Sequence, residues 1–318
     1  MALNVWVRLP IPESEMSGLR EQFPDVTFHE GAVIPDETMA IVDAALVEGY
    51  ALPDDELERM AKLRWLQCTH ATAFMLLTQP VRDRHIRVSS GRGLHSVPFA
   101  ELTVAFIFAM AKHIPTAAVA QREHRWAEGL PYTVEVQGKT LGLVGFGYIG
   151  SEIAKKMHGL GVRVIATRLH PDREKPDYVD WIRGPEALND LLQESDFVVL
   201  AMAGTPETRG LIDEDALKRM KPTAYLFNLA SRTAVPDEEI VAKALQEGRL
   251  GGAMFNVFPG FGKIADDSPL WDAPNFHVSP FLAALDPRGW ERAADLFARN
   301  LQSFIEGKAL ENEADTST

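Results

Sequence analysis

Residues 140 to 154 read TLGLVGFGYIGSEIA. Thr140 to Val144 form an apolar run of strand length, Gly145, Gly147 and Gly150 complete a GxGxxG spacing, and Ser151 to Ala154 open a helix-like stretch that runs to Leu160. A strand passing through a glycine turn into a helix is the entry of a βαβ unit. Each glycine has its own task there. Gly145 permits the tight turn, Gly147 lets the main chain approach a pyrophosphate, and Gly150 lets helix and strand pack closely, with the helix N-terminus facing phosphate charge. The spacing alone also describes a strand-to-helix turn that holds no ligand; the flanking strand and helix favour the phosphate-binding reading.

Working outward, the chain alternates apolar runs with amphipathic ones on both sides. After the glycine turn come VRVIATR, ALNDLLQES, DFVVLAM, EDALKRM, AYLFNLA, PDEEIVAKALQEG, GGAMFNVF and NFHVSPF, which predict five or six strands with helices between them. The first hundred residues repeat the theme with LNVWVRL, ESEMSGLREQF, VTFHEG, AALVEG, PDDELERMAKL, RWLQC and IRVSS. Between the two series VPFAELTVAFIFAMAKHI, Val97 to Ile114, is helical in length and apolar nearly all round, which predicts burial. The expected fold is α/β, two doubly wound parallel-sheet (Rossmann-like) domains. One spans residues 98–285; the other is discontinuous, residues 1–97 plus 286–318, with the helix from about Pro287 to Ile305 leading back to it.

Composition narrows the function. A chain of 318 residues with 46% hydrophobic and 24% charged residues suits an ordinary two-domain globular protein. Its longest apolar run, Val104 to Ala111, is far short of the roughly 20 residues that span a bilayer, and the N-terminus lacks a basic region followed by an apolar signal core. The formal charge of -13 repels phosphate backbones, so neither a membrane nor nucleic acid is an expected partner. Cys68 is the only cysteine, which leaves no internal disulfide, no cysteine-rich metal site and the cytoplasm as the expected compartment. The acidic tail ENEADTST, Glu311 to Thr318, reads as a solvated, frayed end.

The strand after the glycine turn ends in VIATRLHPDREK. A carboxylate at that place would accept from a ribose 2'-hydroxyl, whereas an arginine would pair a 2'-phosphate. Arg168 stands there, and Asp172 lies four residues later in the loop. The reading is NADP(H), with Arg173 or Lys175 as helpers; a solvated basic loop that accepts NAD as well is the alternative.

By its motifs the chain resembles the D-isomer-specific 2-hydroxyacid dehydrogenase family, in particular its glyoxylate and hydroxypyruvate reductase branch. The resemblance is carried by FAEL around Glu101, GKTLGLVGFGYIGSEIA from Gly138, TPETRGLID from Thr205, LKRMKPTAYLFNLASR ending at Arg232, and SPLWDAPN from Ser268. It implies a split substrate domain, an active site in the cleft between the domains and a homodimer. It also implies cofactor contacts from Gly145, Phe146, Gly147, Tyr148, Ile149, Gly150, Thr167, Arg168 and Thr205. The family works with an arginine that holds the substrate, and with a histidine, kept protonated by a glutamate, that passes a proton to the carbonyl oxygen. Arg232 matches the arginine from its downstream side, one residue displaced from the upstream count. The glutamate should follow five residues after an aspartate; the aspartate's place is held by Asn256 and the glutamate's by Phe261. The histidine should follow Pro280, where Phe281 stands.

Phenylalanine neither donates nor accepts a proton, and general acid-base catalysis contributes about a hundred- to ten-thousand-fold. Two other histidines are therefore candidates for the proton. His95 lies six residues before Glu101, and His70 lies in QCTHATAF beside Ala71 and Thr72, whose amides the resemblance brings to the substrate. Phe261 and Phe281, with Phe255, Phe258 and Trp290, suggest an apolar substrate pocket; aromatic residues near a sheet end are also ordinary core. The expected activity is NAD(P)-dependent hydride transfer to or from a small carboxylate or carbonyl substrate, without the usual histidine and glutamate and with no metal. The alternative is a catalytically silent NAD(P)-binding sensor.

Overall fold

The computed structural model describes residues 3–49, 52–71, 73–230, 234–235, 237–256 and 264–315. The chain divides into two compact units, residues 1–94 with 286–318, and residues 95–285.

In the first unit the apolar runs become β1 (Leu3–Val7), β2 (Val26–Glu30), β3 (Ala44–Val47), β4 (Trp65–Cys68) and β5 (Arg87–Ser89), joined in the parallel order β2-β1-β3-β4-β5. Helices α1 (Glu13–Gln22), α2 (Asp36–Met39), α3 (Asp54–Arg59) and α4 (Gln79–Asp83) make the crossovers. Strands β3 and β4 are buried along their whole length, which is why β3 reads as a continuous apolar run and β4 is broken only by Gln67. The returning helix of this unit, Gly289–Ile305, belongs to the same core: Phe297 stacks on Trp65 with ring centroids 5.2 Å apart. Trp290, half-buried, packs against that cluster too.

The tail departs from the sequence expectation. Glu313 forms an antiparallel bridge with Ser89, the Ala314 N–H donates to the Val88 carbonyl at 2.8 Å, and Arg87 grips the Glu313 carboxylate at 2.6 Å. Asn300, buried on the returning helix, receives the Glu311 N–H at 2.6 Å and donates to Gln67 Oε1 at 2.7 Å. Residues 311–315 thus cover the open edge of β5. Composition alone could not reveal this, because the tail is held by backbone pairing and by charges on distant elements.

Among the described residues, the second unit holds seven parallel strands in the order β12-β11-β10-β9-β6-β7-β8. These are β6 (Thr140–Val144), β7 (Arg163–Thr167), β8 (Trp181–Arg183), β9 (Phe197–Leu200), β10 (Tyr225–Asn228), β11 (Gly252–Phe255) and β12 (Phe276–Val278). The sequence reading expected five or six; the three-residue edge strand β8 has too little length for a periodic signal. Helices α5 (Ser96–Ala111), α6 (Ile114–Arg122), α7 (Tyr148–Gly159), α8 (Leu188–Glu194), α9 (Glu214–Arg219) and α10 (Glu238–Gln246) follow in order, and the returning helix is α11. Two apolar clusters cover the two faces of the sheet, one built with α5 and α7, the other with α8, α9 and α10. Helix α5 was expected to be buried all round, yet Glu101 and Ala105 are exposed and burial is confined to Pro98, Ala100, Thr103, Ile107, Met110 and Ala111. Among the described residues no single helix is long and apolar enough to cross a membrane.

Candidate functional site

The order of the larger sheet reverses at β6: β7 and β8 extend it to one side, β9 to β12 to the other. Doubly wound sheets bind ligands at such a switch point, outside the C-terminal ends of the strands. The glycine turn begins there. Gly145 has φ +97°, its N–H donates to the Thr167 carbonyl at 3.0 Å, and a Cβ on it would lie 2.7 Å from the Met202 nitrogen. Gly150 is pressed as closely, since a Cβ there would lie 2.5 Å from the Gly145 carbonyl oxygen. Gly147 is different: nothing stands within 4 Å of where its Cβ would be. Two glycines are therefore explained by the protein's own packing, whereas the third faces open space. That is the arrangement a bound pyrophosphate needs.

Helix α7 starts at Tyr148, with Gly147 as its N-cap, three residues before the expected Ser151. The helical hydrogen bonds begin with Ser151 N–H to the Gly147 carbonyl at 2.9 Å, so Tyr148, Ile149 and Gly150 belong to the first turn. Tyr148 and Gly147 are exposed, Phe146 and Ile149 half-buried. On the opposite lip, Thr205 is exposed and opens a short turn, its N–H donating to Thr208 Oγ1 at 2.8 Å. Its hydroxyl also bonds Glu207, holding that carboxyl below its ordinary value.

Thr167 ends β7 buried, and Arg168 follows. The guanidinium folds into its own loop, where Nη2 donates to the carbonyls of Arg173, Glu174 at 3.2 Å and Pro171 at 3.4 Å. Its Nε is buried and has no hydrogen-bond partner among the described residues. Asp172 is exposed in the same loop.

At the far side of the sheet, Ser279 pairs with the end of β11 through its N–H to the Phe255 carbonyl at 3.0 Å. Phe281 then turns into the left-handed region, φ 57° and ψ 23°, before a short 3-10 turn. It is half-buried. Phe255 lies wholly inside the core, edge-on to Phe276, so it lines no pocket. His277, within β12, shares a shallow hollow with Met110, His113 and Tyr225, and burial lowers its imidazole below the ordinary value. Asp266 and Asp267 are exposed. Arg232, Thr72, Phe258 and Phe261 lie outside the described residues.

The histidine candidates fall on different units. His95 is half-buried at the N-cap of α5. His70 follows β4: its N–H reaches the Glu48 carbonyl at 3.2 Å, its carbonyl receives the Gly91 N–H at 2.7 Å, and its ring lies where a Cβ on Gly49 would be. The loops after β3, β4 and β5 thus converge on His70 at the C-terminal ends of their strands, beside exposed Ala71. Cys68 is buried, and its thiol is pushed up by that burial, which makes it an inert core residue. Among the described residues no group of three or more histidine, cysteine or carboxylate side chains forms a metal site.

Sequence reasoning overlooked Ser279 and gave Asn256 no role of its own. Both are wholly buried, and the Ser279 hydroxyl donates to Asn256 Oδ1 at 2.7 Å.

Comparison with known proteins agrees with this geometry. Residues 104–283 match the family of the D-isomer specific 2-hydroxyacid dehydrogenase, NAD binding domain. The chain is 30% identical to the glyoxylate reductase of Pyrococcus furiosus, an alignment covering 97% of this chain and 94% of that one. A D-isomer specific 2-hydroxyacid dehydrogenase family protein from Aeromonas salmonicida superposes with a TM-score of 0.84 at 24% identity over the whole of both chains. The D-lactate dehydrogenase of Aquifex aeolicus, solved with NAD and lactic acid, superposes with a TM-score of 0.72 at 21% identity, covering 96% of each chain. With the glycine turn at the switch point of a parallel sheet and a family match across more than half its length, the chain belongs to the D-isomer specific 2-hydroxyacid dehydrogenases and is an oxidoreductase with a nicotinamide cofactor.

Proposed function

We propose that the chain is an NADPH-dependent reductase or dehydrogenase of a small carboxylate or carbonyl compound, working without the histidine and glutamate of its family. The observation that carries this reading is Phe281 at the end of β12, where the family resemblance expects the proton donor. Bound nicotinamide would supply or accept the hydride. The amides of Phe146 to Ile149 at the start of α7 would hold the pyrophosphate, while Thr167 and Thr205 border it. NADPH is favoured by Arg168: its loop is held in shape by the guanidinium, and its partnerless Nε is a donor for an anion.

On the substrate, Arg232 would clamp the carboxylate, the Ala71 and Thr72 amides would meet it, and Phe261 and Phe281 would exclude water. His95 is the first candidate for the proton, His70 the second. A homodimer is part of the same reading, supported by the apolar side chains exposed along residues 114–132: Ile114, Val119, Trp126, Leu130 and Tyr132, the last fully exposed.

The test is NADPH and NADH oxidation with glyoxylate, hydroxypyruvate and bulkier 2-oxo acids, repeated on Phe281→His. Histidine is at home in left-handed backbone, so the exchange should fold. Slow turnover that prefers NADPH and rises by about a hundredfold or more in Phe281→His supports the reading. No turnover with any substrate, despite tight dinucleotide binding, would leave a second reading that the same phenylalanine favours: a silent nucleotide sensor.

A further inference from the structure

The His70 carbonyl receives the Gly91 N–H at 2.7 Å, and Gly91 is buried so closely that a Cβ on it would overlap the Thr69 carbonyl. Whatever fixes Gly91 therefore fixes the backbone leading into Ala71. Gly91 lies in the short loop of residues 90–94 that leaves β5, and it has no side chain with which to anchor itself. The anchors come from the C-terminal part of the chain. The Asn312 carbonyl receives the Ser90 N–H at 3.1 Å, Asn312 Nδ2 donates to the Arg92 carbonyl at 2.9 Å, and Arg292 Nε donates to the Leu94 carbonyl at 2.6 Å. One residue thus grips both neighbours of Gly91, so the peptide groups on either side of it turn only with the tail.

The strap does not need the Asn312 amide to stay in place. On one side Glu311 is paired with Arg299 at 2.7 Å and gives its N–H to Asn300 Oδ1 at 2.6 Å. On the other, Glu313 is paired with Arg87 at 2.6 Å and the Ala314 N–H donates to the Val88 carbonyl at 2.8 Å. Those bonds seat residues 311–314 on β5, and Asn312 Nδ2 reaches the loop instead. The Asn312 backbone is left-handed, φ 56°, a conformation that asparagine tolerates and most side chains avoid. The position therefore uses two properties of asparagine, a permissive backbone and an amide donor. A strap that only covered an edge would require the first alone.

We propose that Asn312 is a positioning residue for substrate: by gripping Ser90 and Arg92 it sets Gly91, and through the Gly91 N–H it sets the His70 carbonyl and the aim of the Ala71 amide. The inference rests on the reading of that amide as a substrate contact. Asn312→Gly keeps the left-handed backbone and the carbonyl that Ser90 uses, and removes only the amide. Glu313→Gln loosens the strap at Arg87 and leaves the bonds to the loop in place. Hydrogen exchange at the Gly91 amide, followed by NMR, and titration with the 2-oxo acid isostere oxamate in the presence of NADPH are read on the parent and both variants. In Asn312→Gly the Gly91 amide should exchange about three- to tenfold faster while the Leu66 amide in β4 keeps its rate. Oxamate should bind that variant about threefold or more weakly. Glu313→Gln should match its parent in both readings, which a merely structural role of the strap does not predict.

Parent-like exchange at Gly91 in Asn312→Gly, or equal acceleration in Glu313→Gln, would overturn the proposal. Faster exchange with unchanged oxamate affinity would leave Asn312 a loop anchor with no part in substrate binding, and would overturn it equally. Failure of the parent to bind oxamate would refute the substrate reading of the Ala71 amide, and the proposal with it, an outcome distinct from a variant that behaves like its parent.

Discussion

Gly147→Ala and Gly150→Ala separate what the glycine turn does for folding from what it does for a ligand. At Gly147 a methyl group meets no atom within 4 Å, and the backbone, φ -100° and ψ -156°, is open to any residue. Alanine there should change stability by no more than about 1 kcal/mol, since the smaller entropy of the unfolded chain is opposed by alanine's poorer fit at the N-cap of α7. The methyl would occupy the space proposed for phosphate, so dinucleotide affinity should fall by at least about 1.4 kcal/mol, tenfold in Kd. At Gly150 the methyl would stand 2.5 Å from the Gly145 carbonyl oxygen, a main-chain atom that cannot turn aside. Helix α7 must shift away from β6, and the cost should resemble other overpacked sites, about 1–3 kcal/mol. Urea unfolding paired with fluorescence titration by NADPH reads both quantities. Gly147→Ala should be stable and poor at binding; Gly150→Ala should be impaired in both. A Gly147→Ala protein that binds as well as its parent would refute the reasoning, because the open space above the turn would then not be where phosphate comes.

Three further outcomes are expected. Arg168→Ala should lose NADPH affinity by about tenfold while NADH changes little, as paired titrations will read; equal losses would mean that Arg168 serves only its own loop. Trp65→Ala should destabilise the first unit by about 3–5 kcal/mol in urea unfolding, since the indole is wholly buried between Phe297 and Phe304. Glu313→Gln should cost about 0.2–1 kcal/mol at pH 7, the range of a partly exposed ion pair. Arg87 holds the Glu313 carboxyl below its ordinary value of 4.5, so the pair contributes fully above that pH and fades as pH falls through the lower, folded value. The variant and its parent should therefore converge in stability at acid pH, and a gap that persists there would show that the charge is not responsible.

Much of the fold was legible because its signals are local. β6 and the turn after it carry strand, glycines and helix within fifteen consecutive residues, and the fully buried strands β3 and β9 read as unbroken apolar runs. What stayed hidden depends on residues far apart in the chain. Trp181 to Arg183 form a strand only because β7 lies beside them. Residues 311–315 look solvated until Arg87 and Asn300 are brought to them. At the site, the glycine spacing pointed to Gly147, but nothing in the sequence says that Arg168 folds back on its own carbonyls or that the Ser279 hydroxyl bonds the Asn256 side chain. Those are choices among donors and acceptors made by tertiary neighbours, and spacing along the chain carries no information about them.

The strap formed by residues 311–315 also changes what kind of object the smaller sheet is. Without it, β5 would present unpaired main-chain donors and acceptors to any extended peptide, a template for joining molecule to molecule. With it, that template is already filled by the molecule's own chain. Shortening the protein to Leu310 would therefore do more than remove a few charges. The expected product is a protein that still folds around Trp65 and Phe297 but associates with itself strand to strand, and light scattering would detect that self-association well before the fold itself is lost.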